Sequence, residues 1–121
     1  RLLEFAGLAA KALMPAADLS HGEKQKLEVA MLLAAEADLL LLDEPTAGMS
    51  KGETSAIASL IRKLMAEFGK TVLVIEHDMQ FVRELDCPIT VMARGTVIGG
   101  GTYDEVRADP RVIECYLGRA A

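Results

Sequence analysis

Leu39 to Leu42 is an unbroken apolar run that ends abruptly at Asp43-Glu44-Pro45. Nothing else in the chain constrains the fold as tightly. Leucine is not a strong strand former, and a buried helix would also carry such a run. A stretch this short, halted at once by two acids and a proline, favours a strand buried on both faces. Downstream, Thr71 to Ile75 is β-branched and apolar, the best strand candidate in the sequence. Between the two, Ile57, Leu60, Ile61, Leu64 and Phe68 recur at helical spacing. That helix opens on a capping box, Ser50 to Glu53, and Gly69 supplies a left-handed stop. Strand, helix, strand implies parallel pairing in an α/β sheet. Functional groups in such sheets gather just past the carboxyl ends of the strands. This rule selects Asp43-Glu44 and Glu76-His77-Asp78.

The flanking segments read as follows. Leu2, Phe5, Ala6, Ala9 and Leu13 have helical spacing, closed by Pro15. A second helix starts at a capping box, Ser20 to Glu23, with Leu27, Ala30, Met31 and Ala34 as its expected buried stripe. After Thr71–Ile75, Asp78 caps a helix from about Met79 to Leu85. Ile89–Ala93 and Thr96–Ile98 flank Arg94-Gly95 as a hairpin. Thr102 to Glu105 is a third capping box, and Asp109-Pro110 begins a last helix expected to stop near Gly118.

Composition narrows the function. With 121 residues, 4% aromatics and no Trp, the chain has room for one compact domain with an aliphatic core. Thirteen basic against 18 acidic residues give a net charge of −5, which argues against a nucleic-acid or anionic-membrane surface. The longest apolar run, Val29 to Ala35, has seven residues. A membrane span needs about 20. Cys87 and Cys115 form neither a metal pair nor a disulfide framework and read as reduced thiols.

An Asp-Glu pair at the end of a buried strand suits metal-dependent phosphate chemistry. One carboxylate can hold hydrated Mg²⁺ while its neighbour orients an attacking water. Two solvated acids at a capped strand end are the plainer alternative. His77 follows the second strand at the same edge, where parallel pairing would bring it near Glu44, although a lone His is more often structural. Ser20, His21 and Gly22 open a helix whose backbone N–H groups could receive an anion.

Leu19-Ser20-His21-Gly22-Glu23, a helix, Leu39 through Thr46, a second helix and Val74-Ile75-Glu76-His77-Asp78 together resemble the C-terminal half of an ABC-type ATPase. Their order is that of the family's signature motif, Walker B motif, D-loop and H-switch. The resemblance implies a partial P-loop NTPase fold: a short parallel sheet with helices, then a C-terminal β-hairpin and helices. Residues 1–36 would end the helical subdomain, and 37–121 would carry Walker B, D-loop, H-switch and C-terminal segment. It further implies that Asp43 holds Mg²⁺, usually through water, that Glu44 is the general base, and that His77 contacts the γ-phosphate of ATP. Ser20, His21, Gly22 and Glu23 would face nucleotide bound by the opposite subunit of a dimer, with Ala47, Gly48, Met49 and Ser50 as the D-loop. The sequence departs from the usual LSGGQ at His21 and Glu23, and Ser50 stands where the D-loop commonly ends in Asp.

No G-x-x-x-x-G-K-[ST] occurs in the sequence, so the expectation is half of an ATPase subunit, inactive alone, a non-catalytic assembly module. Ser20-His21-Gly22-Glu23, Ala47-Gly48-Met49, Glu76-His77-Asp78-Met79, Asp109 to Glu114 and the ending around Tyr116-Leu117-Gly118 resemble importers of branched-chain amino acids. Urea or short-chain amide importers are the near alternative, and a non-transport ABC ATPase the remote one. The implied partners are a second ATPase subunit and transmembrane permeases, at the cytoplasmic face of the cell membrane, with no nucleic acid. In the family another strand lies beside the His77 strand. Its absence would leave an apolar edge at Thr71–Ile75, open to self-association or to the Ile89–Ile98 hairpin.

Overall fold

A computed structural model of the chain describes residues 1–117. Two compact units divide it, Arg1–Leu85 and Asp86–Ala121.

In the first unit, α1 (Leu2–Phe5), short 3-10 turns at Ala9–Lys11 and Ala16–Asp18, and α2 (His21–Ala34) precede β1 (Leu39–Asp43). Then come α3 (Lys51–Phe68), β2 (Thr71–Ile75) and α4 (Met79–Leu85). Strands β1 and β2 pair in parallel, from Leu39 opposite Thr71 to Asp43 opposite Ile75. One face of this ribbon is the core. Leu40 packs with Val29 and Leu33 of α2 and Leu60 and Leu64 of α3, and Val72 closes over them. The ring of Phe5 meets Phe68 edge-on at 5.0 Å between centroids, a favoured aromatic geometry. Helix α3 keeps the expected stripe and ends at Gly69, whose φ of +61° is left-handed.

Three expectations need correction. The first helix stops at Phe5, because Gly7 turns the chain at φ +72°, and Leu13 is fully exposed. Helix α2 buries Gly22, Val29, Ala30 and Leu33, whereas Met31 and Ala34 face outward. Its apolar run is continuous, so spacing alone does not pick the inner face. Strand β1 is buried on one face only: Leu39 and Leu41 are 54% and 64% exposed, and Leu73 and Ile75 of β2 are 58% and 60%. The helices cover one side of the ribbon and leave the other open.

The second unit holds β3 (Ile89–Ala93), β4 (Thr96–Gly101), α5 (Tyr103–Ala108), α6 (Pro110–Val112) and a π-helical turn, Ile113–Leu117. Arg94 and Gly95 both take positive φ, 50° and 77°, the backbone that two-residue hairpin turns need. Val91, Val106 and Val112 form its core, with Ile89 and Ile98 packed on them. Strands β3 and β4 pair with each other, and β2 pairs with β1 alone among the described residues. The helix stop expected at Gly118 lies outside the described residues. Cys87 and Cys115 are free, and burial together with Asp86 pushes the Cys87 thiol up. No helix among the described residues is long and apolar enough to cross a membrane.

Candidate functional site

The parallel ladder runs one rung past β1, since Glu44 N–H donates to the Ile75 carbonyl at 2.8 Å. This rung sets the loops that follow the two strands side by side. Glu44 takes φ +47°, a left-handed conformation uncommon for a residue with a Cβ and often found at functional sites. Its carboxylate accepts a hydrogen bond from His77 Nδ1 at 3.2 Å. Both side chains are open to solvent, 52% exposed for Glu44 and 71% for His77. Asp43 ends β1 exposed, and its carboxylate has no hydrogen bond or ion pair among the described residues. Asp78 accepts from Phe81 N–H at 3.0 Å and so starts α4.

Glu76 ties the loops together. Its Oε1 accepts from the N–H of Thr46 at 2.9 Å and from the Thr46 hydroxyl at 2.5 Å. Its Oε2 accepts from the N–H groups of His77 at 3.1 Å and Asp78 at 3.4 Å. Thr46 is 6% exposed.

A second cluster surrounds the start of α2. Ser20 and Glu23 close the capping box: Ser20 N–H donates to Glu23 Oε2 at 2.9 Å, and Glu23 N–H donates to Ser20 Oγ at 3.3 Å. Lys11 also donates to the Glu23 carboxylate. Lys11 first and the Ser20 N–H second hold that carboxyl down to about 2. The Glu23 charge is thus largely engaged by its own neighbours. His21 Nε2 donates to the Ala47 carbonyl at 2.7 Å. Gly22 is buried where a Cβ would stand 3.3 Å from Glu53 Oε1, so its missing side chain leaves room for the Glu53 carboxyl. Glu53 in turn accepts from Ser50 N–H at 2.8 Å. The Ser50 N–H and hydroxyl hold the Glu53 carboxyl below its usual range, with a smaller contribution from His21. Ala47 to Ser50 link the two clusters, with Gly48 at φ +73°, Met49 half-buried and Ser50 capping α3.

The structure thus brings Glu44 to His77 and His21 to Ala47, while Asp43 is unpaired among the described residues. Glu76, Thr46 and Lys11 carry contacts that the motifs did not assign. The signal available for Glu76 was its place as an acid continuing the inward-facing parity of Val72 and Val74.

Comparison with known proteins meets this geometry at both ends of the chain. Residues 1–47 match the family described as ABC transporter. Residues 96–121 match the branched-chain amino acid ATP-binding cassette transporter family. The ATP-binding cassette MJ1267 in its ADP conformation superposes with a TM-score of 0.87 at 32% identity, covering 97% of this chain and 47% of that one. The chain belongs to the ABC transporter ATP-binding proteins. Its similarity extends to the high-affinity branched-chain amino acid transport ATP-binding protein LivG of Salmonella typhimurium, at 39% identity over 118 residues. BraF of Pseudomonas aeruginosa, which carries the same description, is also 39% identical over 118 residues. Both matches cover 98% of this chain and 46% of the relative. The chain spans just under half the length of these ABC proteins, and its α/β architecture is that of the family.

Proposed function

We propose that this chain supplies the base and switch side of an ATPase subunit that drives a branched-chain amino acid importer. The observation that carries the reading is the Glu44–His77 hydrogen bond, 3.2 Å long, at the carboxyl edge of a parallel strand pair. Glu44, exposed and oriented by His77, is the general base that takes a proton from the attacking water. His77 commits its Nδ1 hydrogen to Glu44, so contact with a γ-phosphate oxygen through Nε2 requires the second ring proton. Asp43 holds Mg²⁺ through water. No group of three His, Cys, Asp or Glu able to cage a metal occurs among the described residues. A lone exposed carboxylate fits an ion that keeps most of its waters and binds one or two acids besides substrate phosphate. Bound there, Mg²⁺ would neutralise charge on the phosphate oxygens.

Ser20, His21, Gly22 and Glu23 face ATP held by a second ATPase subunit, with Ala47 to Ser50 as the D-loop between the two. Residues 1–36 end the helical subdomain and 37–121 carry the remaining motifs, and permease subunits hold the assembly at the cytoplasmic face of the membrane. The isolated chain, lacking a phosphate-loop motif, assembles but does not turn over. It self-associates through Thr71–Ile75, where β2 has one edge unpaired among the described residues and Leu73 and Ile75 are exposed.

The test compares Mg-ATP hydrolysis by the complete subunit and its Glu44→Gln variant. Loss of a general base lowers kcat by about 10² to 10⁴-fold, and wild-type turnover in the variant refutes the assignment. Hydrolysis by the 121-residue chain above its own Glu44→Gln control would refute the claim of inactivity. Light scattering checks the edge: Leu73→Lys should return an oligomer to monomer, and a wild-type chain monomeric at all concentrations removes that element.

A further inference from the structure

We propose that Glu76 is the positioning residue of this edge, setting the distance between Glu44 and His77 by clamping both of their loops. The inference rests on the reading of Glu44 and His77 as a working pair. An exposed carboxylate–imidazole contact contributes little on its own, because solvent screens it and two mobile side chains must be ordered to make it. Their separation therefore follows from where the two backbones are fixed. Beyond the Glu44–Ile75 rung and the Glu44–His77 contact, the side-chain bonds between these two loops among the described residues all end on Glu76. Oxygen Oε1 takes both donors of Thr46, two residues after Glu44. Oxygen Oε2 takes the N–H groups of His77 and Asp78. One oxygen thus serves each loop, and every partner is a donor. The division of labour requires a carboxylate, which offers acceptors on both oxygens.

That requirement makes the glutamine variant informative. In Glu76→Gln one oxygen becomes an NH₂ donor, which must face either Thr46 or the His77 and Asp78 N–H groups. Only one loop can keep its full set of bonds, since the Thr46 hydroxyl can accept from NH₂ whereas the N–H groups of Thr46, His77 and Asp78 cannot. Thr46→Val removes the hydroxyl donor and leaves the N–H, a milder cut on the same line. A loop shift of about 1 Å at a reacting centre can cost about 10²-fold in rate, so Glu76→Gln should lower kcat of the complete subunit by about ten- to a hundredfold. The KM for ATP should stay within about twofold, because both Glu76 oxygens are taken up by Thr46, His77 and Asp78.

The decisive measurement needs no turnover. In the 121-residue chain, the imidazole ¹⁵N resonances of His77 should shift on Glu44→Gln. In the Glu76→Gln background, and partly in Thr46→Val, that response should be lost while the folded spectrum persists. If Glu76→Gln does not fold, Thr46→Val alone carries the comparison. A His77 response that survives in the folded variants overturns the proposal. Loss of the response with unchanged kcat overturns the importance of the positioning for turnover, provided Glu44→Gln is inactive. If Glu44→Gln itself turns over normally, the general-base reading fails, and the resonance comparison alone decides whether Glu76 sets the spacing.

Discussion

Leu40 and Leu41 are neighbours in β1 with opposite surroundings, and replacing each by alanine tests the one-sided ribbon. Leu40 is 1% exposed among Val29, Leu33, Leu60 and Leu64, while Leu41 is 64% exposed. Leu→Ala removes about three methylene equivalents, each worth about 0.8 kcal/mol when buried, or about 2.4 kcal/mol of transfer free energy at Leu40. The space left behind is walled by branched side chains on two helices that cannot close it fully. This raises the expected loss to about 3–4 kcal/mol, within the usual range for core leucines. At Leu41 little more than a third of the side chain is covered, so the same arithmetic gives less than about 1 kcal/mol and no cavity. At roughly 4 °C per kcal/mol, Leu40→Ala should lower Tm by roughly 12–16 °C and Leu41→Ala by less than about 4 °C. Urea denaturation followed by far-ultraviolet circular dichroism at low micromolar concentration supplies the free energies. Equal losses at the two positions would refute the assignment of an inner and an outer face. A Leu41 loss that grows with protein concentration would instead report burial of the open face between copies.

Two further outcomes follow from other parts of the chain. Glu23 titrates at about 2 in the folded chain against 4.5 ordinarily, so its contribution is complete above about pH 4.5 and disappears as pH falls towards 2. Lys11→Met should therefore move acid unfolding to higher pH, and Glu23→Gln should flatten the stability profile across that window. An unchanged profile in both would refute the pairing. A Cβ at Gly100 would stand 2.8 Å from the Ile89 carbonyl oxygen across the hairpin, whereas one at Gly52 in α3 meets nothing within 4 Å. Gly100→Ala should cost about 1–3 kcal/mol through overpacking, while Gly52→Ala should gain up to about 1 kcal/mol by stiffening the helix. Thermal unfolding reads both, and a neutral Gly100→Ala would refute the close approach of β4 to β3.

Local chemistry made much of the fold legible. The capping boxes at Ser20, Ser50 and Thr102 each bond both ways, because hydroxyl and carboxylate three residues apart satisfy donors that no other part of the helix can. The parallel pair followed from a helix lying between two short apolar runs. What could not be read was which face each apolar run turns inward. Leu39 to Leu42 are chemically identical, and their alternation is imposed by helices packed on one side. In α2 the run from Val29 to Ala35 offers apolar residues to every direction, so tertiary packing alone decides. The break at Gly7 was hidden because the residues beyond it keep helical spacing after the helix has ended.

At the site, strand parity explains both what was visible and what was not. Val72 and Val74 lie on the partly covered side of β2, and Glu76 continues that parity as a half-buried acid. A carboxylate in that position must find hydrogen-bond donors, and Thr46, His77 and Asp78 provide them. Parity applied to β1 gives the opposite result. Leu40 and Leu42 are buried, so an extended chain would carry Glu44 inward as well. Glu44 is instead exposed, because its backbone leaves the strand at φ +47°. A left-handed residue with a Cβ costs roughly 1–2 kcal/mol, and no pattern of residue types announces it. That turn frees the Glu44 carboxylate from the core and presents it to His77. Replacing Glu44 by glycine would ease the backbone and remove the acid together. Strain and chemistry separate only in Glu44→Gln, which keeps the Cβ and the turn while abolishing the base.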